Sequence, residues 1–266
     1  QWPFLAEKQG DLLRGELPWQ VAIVFLHHAL LLSLLLAAAL CDWDHRSIPL
    51  SLTATGTLLG LLLAVCFPWP FPNELSHIQA LPKEGSWAFN VPPDKLPEGM
   101  YPWPVWGPLP TWLVEKFPPA LGLLTGLAGA FVGMALIRCI KFLVEKALDK
   151  EALGLGDADL MMMAGAFLGW QIVVVAFFVG ALVALPFGVL HAVRKGESAM
   201  PFGPGLACGL VITWFSWPWV GKVMHLYLFE EVLVMVAITV MGGGLFIGGI
   251  VLRLLGFGQA APVEQK

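Results

Sequence analysis

The chain has 266 residues, of which 58% are hydrophobic and only 13% charged, with a formal net charge of -4. Soluble domains carry roughly 25% charged residues, so this composition, with a mean hydropathy of +0.76, excludes an ordinary soluble domain and indicates a polytopic membrane protein. The acidic balance and the lack of a basic cluster in the sequence argue against nucleic-acid binding.

Residues 1–18 form an N-terminal flank with no basic stretch leading into a cleavable apolar segment, and the chain opens on Gln1, as expected of a fragment or of a chain that has lost a preceding part. The remainder, 19–266, reads as a single membrane domain. A spanning helix needs about 20 mainly apolar residues. The first predicted helix runs from about Trp19 to Leu40 and delivers Asp42 to the membrane edge. The second runs from about Ile48 to Phe67, with Pro49 tolerated in its first turn because the amide proton it lacks would be unpaired there. Asp42 is thus expected in a short link, pinned between two helices.

Residues 68–118 carry Pro-Trp-Pro-Phe-Pro near their start and Tyr101-Pro102-Trp103-Pro104-Val105-Trp106 further on. So many prolines forbid a continuous helix or central strand. The segment reads as a long Pro/Trp-rich loop on the outer side, its rings seated at the membrane interface.

A third helix is predicted from about Pro119 to Val144. The basic residues Arg138, Lys141, Lys146 and Lys150 mark its end as cytoplasmic. Gly122, Gly126, Gly129 and Gly133 give it a face of small residues suited to close helix contact. The apolar stretch from Leu160 to His191 is too long for one span. It divides into a short helix from Leu160 to about Trp170 and a second from about Ile172 to His191, turning at the outer side, with Pro186 as a possible kink. A sixth helix covers about Leu206 to Val220 and a seventh about Leu226 to Leu252. The expected fold is all-α, with about seven membrane helices, some short or kinked. Counting crossings puts Asp42, the 145–159 loop and the 194–203 loop on one side, which the basic residues make cytoplasmic.

Two carboxylates carry the chemistry. Asp42 stands in Cys41-Asp42-Trp43-Asp44-His45-Arg46-Ser47-Ile48-Pro49, and Asp157 in Gly154-Leu155-Gly156-Asp157-Ala158-Asp159-Leu160. An ionisable group at the edge of an apolar segment is costly and is usually kept for a task. The plain alternatives are a solvated loop residue for Asp42 and a helix cap for Asp157. Gly154 and Gly156 favour more than a cap, because they let backbone or an extended substrate approach Asp157 closely. Facing each other in a poorly solvated site, two aspartates would not both ionise. The ionised member could take a proton from water while the protonated member polarises a scissile carbonyl, so peptide hydrolysis needs no metal or other cofactor here. His27 and His28 lie inside an apolar helix without a zinc-site pattern, and His45 is placed to tune Asp42. The cysteines Cys41, Cys66, Cys139 and Cys208 are scattered and form neither a zinc knuckle nor a disulfide framework.

With these pieces in place, the chain closely resembles the bacterial type IV prepilin leader peptidases, a branch of the membrane aspartyl proteases named for a Gly-x-Gly-Asp motif. The resemblance rests on Asp42 with the Ile48-Pro49 element, on Gly154-x-Gly156-Asp157 opening a helix, on the run Ala164-Gly165-Ala166-Phe167-Leu168-Gly169-Trp170-Gln171, and on Pro201-Phe202-Gly203-Pro204. It implies that Asp42 and Asp157 are catalytic. It further implies cleavage after the glycine that ends the short basic leader of a type IV prepilin or type II secretion pseudopilin, at the cytoplasmic face of the bacterial inner membrane. Partners are then such substrates and membrane lipid; no oligomeric state is implied.

The chain departs from that family in several places. The resemblance leads one to expect a lysine two positions after the motif aspartate, whereas Asp159 stands there. Asp159 and Asp44 are read as structural or substrate-contacting, and Pro201-Phe202-Gly203-Pro204 as shaping the cytoplasmic cleft. The paired Cys-x-x-Cys elements linked to N-methylation in many relatives have no counterpart in this sequence, so that second activity is not expected. Alternative readings are another intramembrane aspartyl protease, or a cation-coupled transporter using the paired aspartates.

Overall fold

The structure, a computed structural model, describes residues 13–15, 19–66, 116–148, 154–195 and 202–228, and short stretches at 235–240, 242–244 and 247. The described regular structure is helical: α1 (Trp19–His45), α2 (Leu50–Cys66), α3 (Pro118–Leu148), α4 (Leu155–Leu168), α5 (Trp170–Lys195) and α6 (Gly203–Leu228). Nearly all of the predicted loop at 68–118, and Pro201, lie outside the described residues. So does most of the predicted seventh helix.

Leu- and Ala-rich sequence drives α1, since neither residue loses much rotamer freedom in a helix. The helix continues past the expected end at Leu40, so Asp42 is a helical residue rather than part of the link. It stops where Arg46 turns into the left-handed region at φ 52°, its N–H donating to the Asp42 carbonyl at 2.9 Å. Pro49 then starts α2, its carbonyl accepting the N–H groups of Leu52 at 3.1 Å and Thr53 at 3.3 Å.

The centre of the molecule is α4. From Asp157 to Leu168 almost every side chain is buried, and α1, α2, α3, α5 and α6 all pack on it. Between helices in lipid there is little hydrophobic driving force, so association depends on close packing at small residues. The expected small-residue face of α3 serves that purpose. A Cβ at Gly129 would strike the Gly165 backbone, and one at Gly133 would strike the Met161 carbonyl. On α2, Gly56 receives the Met163 side chain and Gly60 the Phe167 ring. Gly180, Gly205 and Gly209 play the same part between α5 and α6. The buried Thr57 hydroxyl is satisfied within its own helix, donating to the Thr53 carbonyl at 2.7 Å. His27 packs against Phe167, and His28 stacks on Trp214 with ring centroids 4.4 Å apart.

The expected division of the 160–191 stretch is present, with the turn at Gly169. This residue has φ 79°, a conformation that favours glycine, and its N–H donates to the Gly165 carbonyl at 2.9 Å. The 14 residues of α4 extend only about 21 Å, less than the roughly 30 Å of a bilayer core. Trp170 and Gln171 beyond the turn are buried by protein, the condition under which a helix break at membrane depth is tolerated. Among the described residues, two stretches, Phe25–His45 in α1 and Gly122–Lys146 in α3, are long and apolar enough to cross a membrane.

Candidate active site

Asp42 sits in the last turns of α1 and is 7% exposed. What fixes it comes from the other end of the domain. The backbone N–H of Gly203, the first residue of α6, donates to Asp42 Oδ2 at 2.9 Å. A Cβ at Gly203 would lie 2.7 Å from that oxygen and 3.0 Å from Cγ, so only glycine lets the main chain come this close. The amides at a helix N-terminus carry partial positive charge, and α6 directs that end at the carboxylate. Phe202 anchors the entry edge-on against Phe177, at a centroid distance of 6.5 Å. Its carbonyl accepts the Leu206 N–H at 3.1 Å, and Pro204 follows in the first turn, where a missing N–H costs nothing.

Asp157 is the third residue of α4 and is 6% exposed. Its Oδ2 accepts the Gly154 N–H at 3.2 Å. That contact is one half of a capping box; the reciprocal half needs a side chain that glycine does not have. The capping alternative and the reactive one therefore coexist, since the carboxylate that caps α4 also feels the charge of Asp42. Gly156 explains how the two segments meet. A Cβ there would be 3.1 Å from Ile48 Cβ and 3.3 Å from Ile48 N. The buried Ile48 thus docks the α1–α2 link directly on the first turn of α4.

That first turn lies outside the apolar spans. Burial, and after it the charge of Asp42, push the Asp157 carboxyl up to about 7, while the Gly154 N–H and Lys141 of α3 pull it back. Asp159 is half-buried; burial raises it and Arg138 of α3 opposes the shift. The extra acid beside the motif is therefore answered by a cation from the neighbouring helix. Asp44, His45 and Pro49 are exposed.

The structure thus joins Asp42, Ile48, Gly154, Gly156, Asp157 and Gly203 in one place, with Phe202 and Pro204 supporting Gly203. Gly203 was expected at the cleft as part of Pro201-Phe202-Gly203-Pro204, but the contact of its amide with Asp42 was not expected. Lys141 escaped the sequence as a neighbour of the acids; its signal was a cation one turn after Arg138 and one turn before Glu145.

A family model for the type IV leader peptidase family matches residues 108–189, which include Gly154, Gly156 and Asp157. A prepilin leader peptidase/N-methyltransferase of Stutzerimonas stutzeri is 30% identical over 119 residues, covering 44% of this chain and 40% of the relative. The protein of that name from Pseudomonas aeruginosa is 33% identical over 105 residues, 38% of this chain and 35% of its own length. A Myxococcus xanthus protein, again so named, is 27% identical over 190 residues, 69% of this chain and 42% of the relative.

Over residues 108–189 the chain is similar to the type IV leader peptidase family.

The chain matches about half or less of the length of each of these relatives. No solved structure matches it. Asp42 and Gly203 fall outside the stretch matched by the type IV leader peptidase model, and it is packing around α4 that brings both to Asp157.

Proposed function

We propose that this chain is a membrane aspartyl endopeptidase that removes the short basic leader of type IV prepilins or type II secretion pseudopilins. The observation that carries the reading is the pair itself. Asp42 and Asp157 come from distant helices, both are buried, they interact electrostatically, and each is oriented by one glycine N–H.

The geometry suggests a division of labour. Asp42 receives the N-terminal amide of α6, which offsets part of what burial costs its charged form and makes it the better candidate for the base; Asp157 is the member burial keeps protonated near neutrality. Asp42 takes a proton from water as the hydroxide oxygen bonds to the scissile carbonyl carbon. Asp157 hydrogen-bonds the carbonyl oxygen as it becomes the tetrahedral alcohol. With the Asp157 proton passed to that oxygen, collapse breaks the C–N bond, the proton held by Asp42 passes to the leaving amine, one hydroxyl proton of the intermediate returns to Asp157, and an acid and an amine are released. The titration belongs to the pair rather than to either residue.

We place the domain in the bacterial inner membrane as about seven helices, with the site facing the cytoplasm and the 68–118 loop outside. Support comes from α3, whose basic end brings Arg138 and Lys141 to the same end of the bundle as Asp159 and Asp157, as the positive-inside rule requires of a cytoplasmic boundary. The substrate helix, starting just after the cut, would dock from the lipid while its leader stays in the cytoplasm.

The test uses a prepilin-like substrate in membranes, with wild type beside Asp42→Asn and Asp157→Asn. Each variant should cut at least about 100-fold more slowly while still folding and associating with substrate. Normal cleavage by both variants would refute the assignment. A cation transporter would instead show ion-dependent conformational cycling without any leader present.

A further inference from the structure

The mechanism above accounts for the two acids but not for the cations gathered beside them. Arg138 faces Asp159, which leaves Lys141. Its position follows from the packing of α3 on α4. Gly129 meets Gly165 and Gly133 meets Met161, so the helices run antiparallel and each step of four along α3 is a step of four back along α4. The next rung sets the fully buried Ile137 level with Asp157, and Lys141 lies one turn further along α3, just past the opening of α4. Glu145, one turn on, holds the ammonium in an i,i+4 ion pair at 3.0 Å, and the two side chains are only 19% and 30% exposed. A half-buried, tethered cation one turn from a buried acid pair is not an ordinary solvated lysine.

We propose that Lys141, tethered by Glu145, supplies the counter-charge of the Asp42–Asp157 pair and acts as a positioning residue for it. This rests on the peptidase reading. Two carboxylates sharing one proton carry one net negative charge. Burying that charge is unfavourable unless an opposite charge stands near. Without Lys141 both acids would hold their protons over more of the neutral range, and no base would be left to activate water.

Among the described side chains, the other charged groups around Asp157 do not duplicate this one. From α1 come Asp42, of the wrong sign, and the exposed Asp44 and His45; the link to α2 carries Arg46. Along α2 the sole titratable side chain is Cys66, at its far end. Besides Lys141, α3 offers Arg138, opposite Asp159 on α4, Glu145, and Lys146, which is exposed in the last turn.

The test measures kcat/KM against pH for membranes bearing wild type, Lys141→Met and Lys141→Arg, cutting a synthetic peptide with a basic leader ending in glycine and an apolar helix after it. The bell for Lys141→Met should move to higher pH by about 1 unit on both limbs, because an opposite charge lowers the proton affinity of a carboxylate. Lys141→Arg should restore the wild-type profile. A purely structural role would lower the height of the bell without moving it, and that result would overturn the proposal.

A second readout needs no turnover. A diazo reagent esterifies protonated carboxyls, and mass spectrometry of the peptide containing Asp157 reports its labelling against pH. Labelling should persist about 1 unit higher in Lys141→Met; an unmoved labelling curve counts against Lys141 even if the peptide proves not to be a substrate. Lys141→Gln carries both measurements if the Met variant does not fold.

Discussion

Asp157 is a carboxyl pushed up to about 7 beside a second acid, and this has a direct kinetic consequence. In the proposed mechanism the working form of the pair holds one proton. Raising the pH through the upper macroscopic pKa removes that proton and with it the general acid; lowering the pH through the lower one protonates the base. A plot of kcat/KM against pH should therefore be bell-shaped, with its alkaline limb falling near 7. A rate that stays level well above neutrality would contradict the shared proton. Gly203 gives a second expectation at this scale. Gly203→Ala puts a methyl 2.7 Å from Asp42 Oδ2, so the carboxylate or the start of α6 must shift. A displacement of the order of 1 Å can cost about 100-fold in rate, and the loss should appear in kcat while the bundle keeps its thermal stability. The sequence pointed to both acids because each is an ionisable group beside an apolar run, a local signal. It could not show which amide faces Asp42, because that contact joins residues 161 positions apart.

Helix packing is a separate matter, and here the glycines of α3 decide it. Gly133→Val would drive a branched side chain into the Met161 carbonyl, and overpacking of this kind costs about 1–3 kcal/mol. The variant should show an earlier midpoint when denatured in detergent. Phe131→Leu, on the same helix at a site 65% exposed, should stay close to wild type in that assay. The spacing of these glycines was legible as a contact face, and the division of the 160–191 stretch was legible because one span could not absorb it. Less legible were the ends. Helix α1 was expected to stop at Leu40, where the apolar run fades, yet hydrogen bonding carries it to His45. The cause is tertiary: Asp42 and its neighbours are held in place by α6 and α4, and polar residues stay helical when their partners are supplied from outside the segment. Asp159 is a similar case, since the Arg138 that answers it belongs to another helix.

At the scale of the whole molecule, the cytoplasmic placement of the site can be tested without any substrate. Ser47 is exposed in the α1–α2 link, next to the Ile48 that docks on α4. In a variant lacking the natural cysteines, Ser47→Cys should react with a membrane-impermeant maleimide in inverted inner-membrane vesicles and be protected in right-side-out spheroplasts. The opposite pattern would invert the proposed orientation. The order in which the site closes also has a meaning for biosynthesis. Asp42 and Asp157 both precede Gly203 along the chain, so a ribosome will have delivered both acids to the bilayer before the amide that orients the first of them is made. A nascent chain stalled ahead of α6 would hold the reactive groups but not their alignment. On the proposed peptidase reading, competence would then arrive as a late event of translation, and a half-built enzyme could not yet cut a membrane protein inserting beside it.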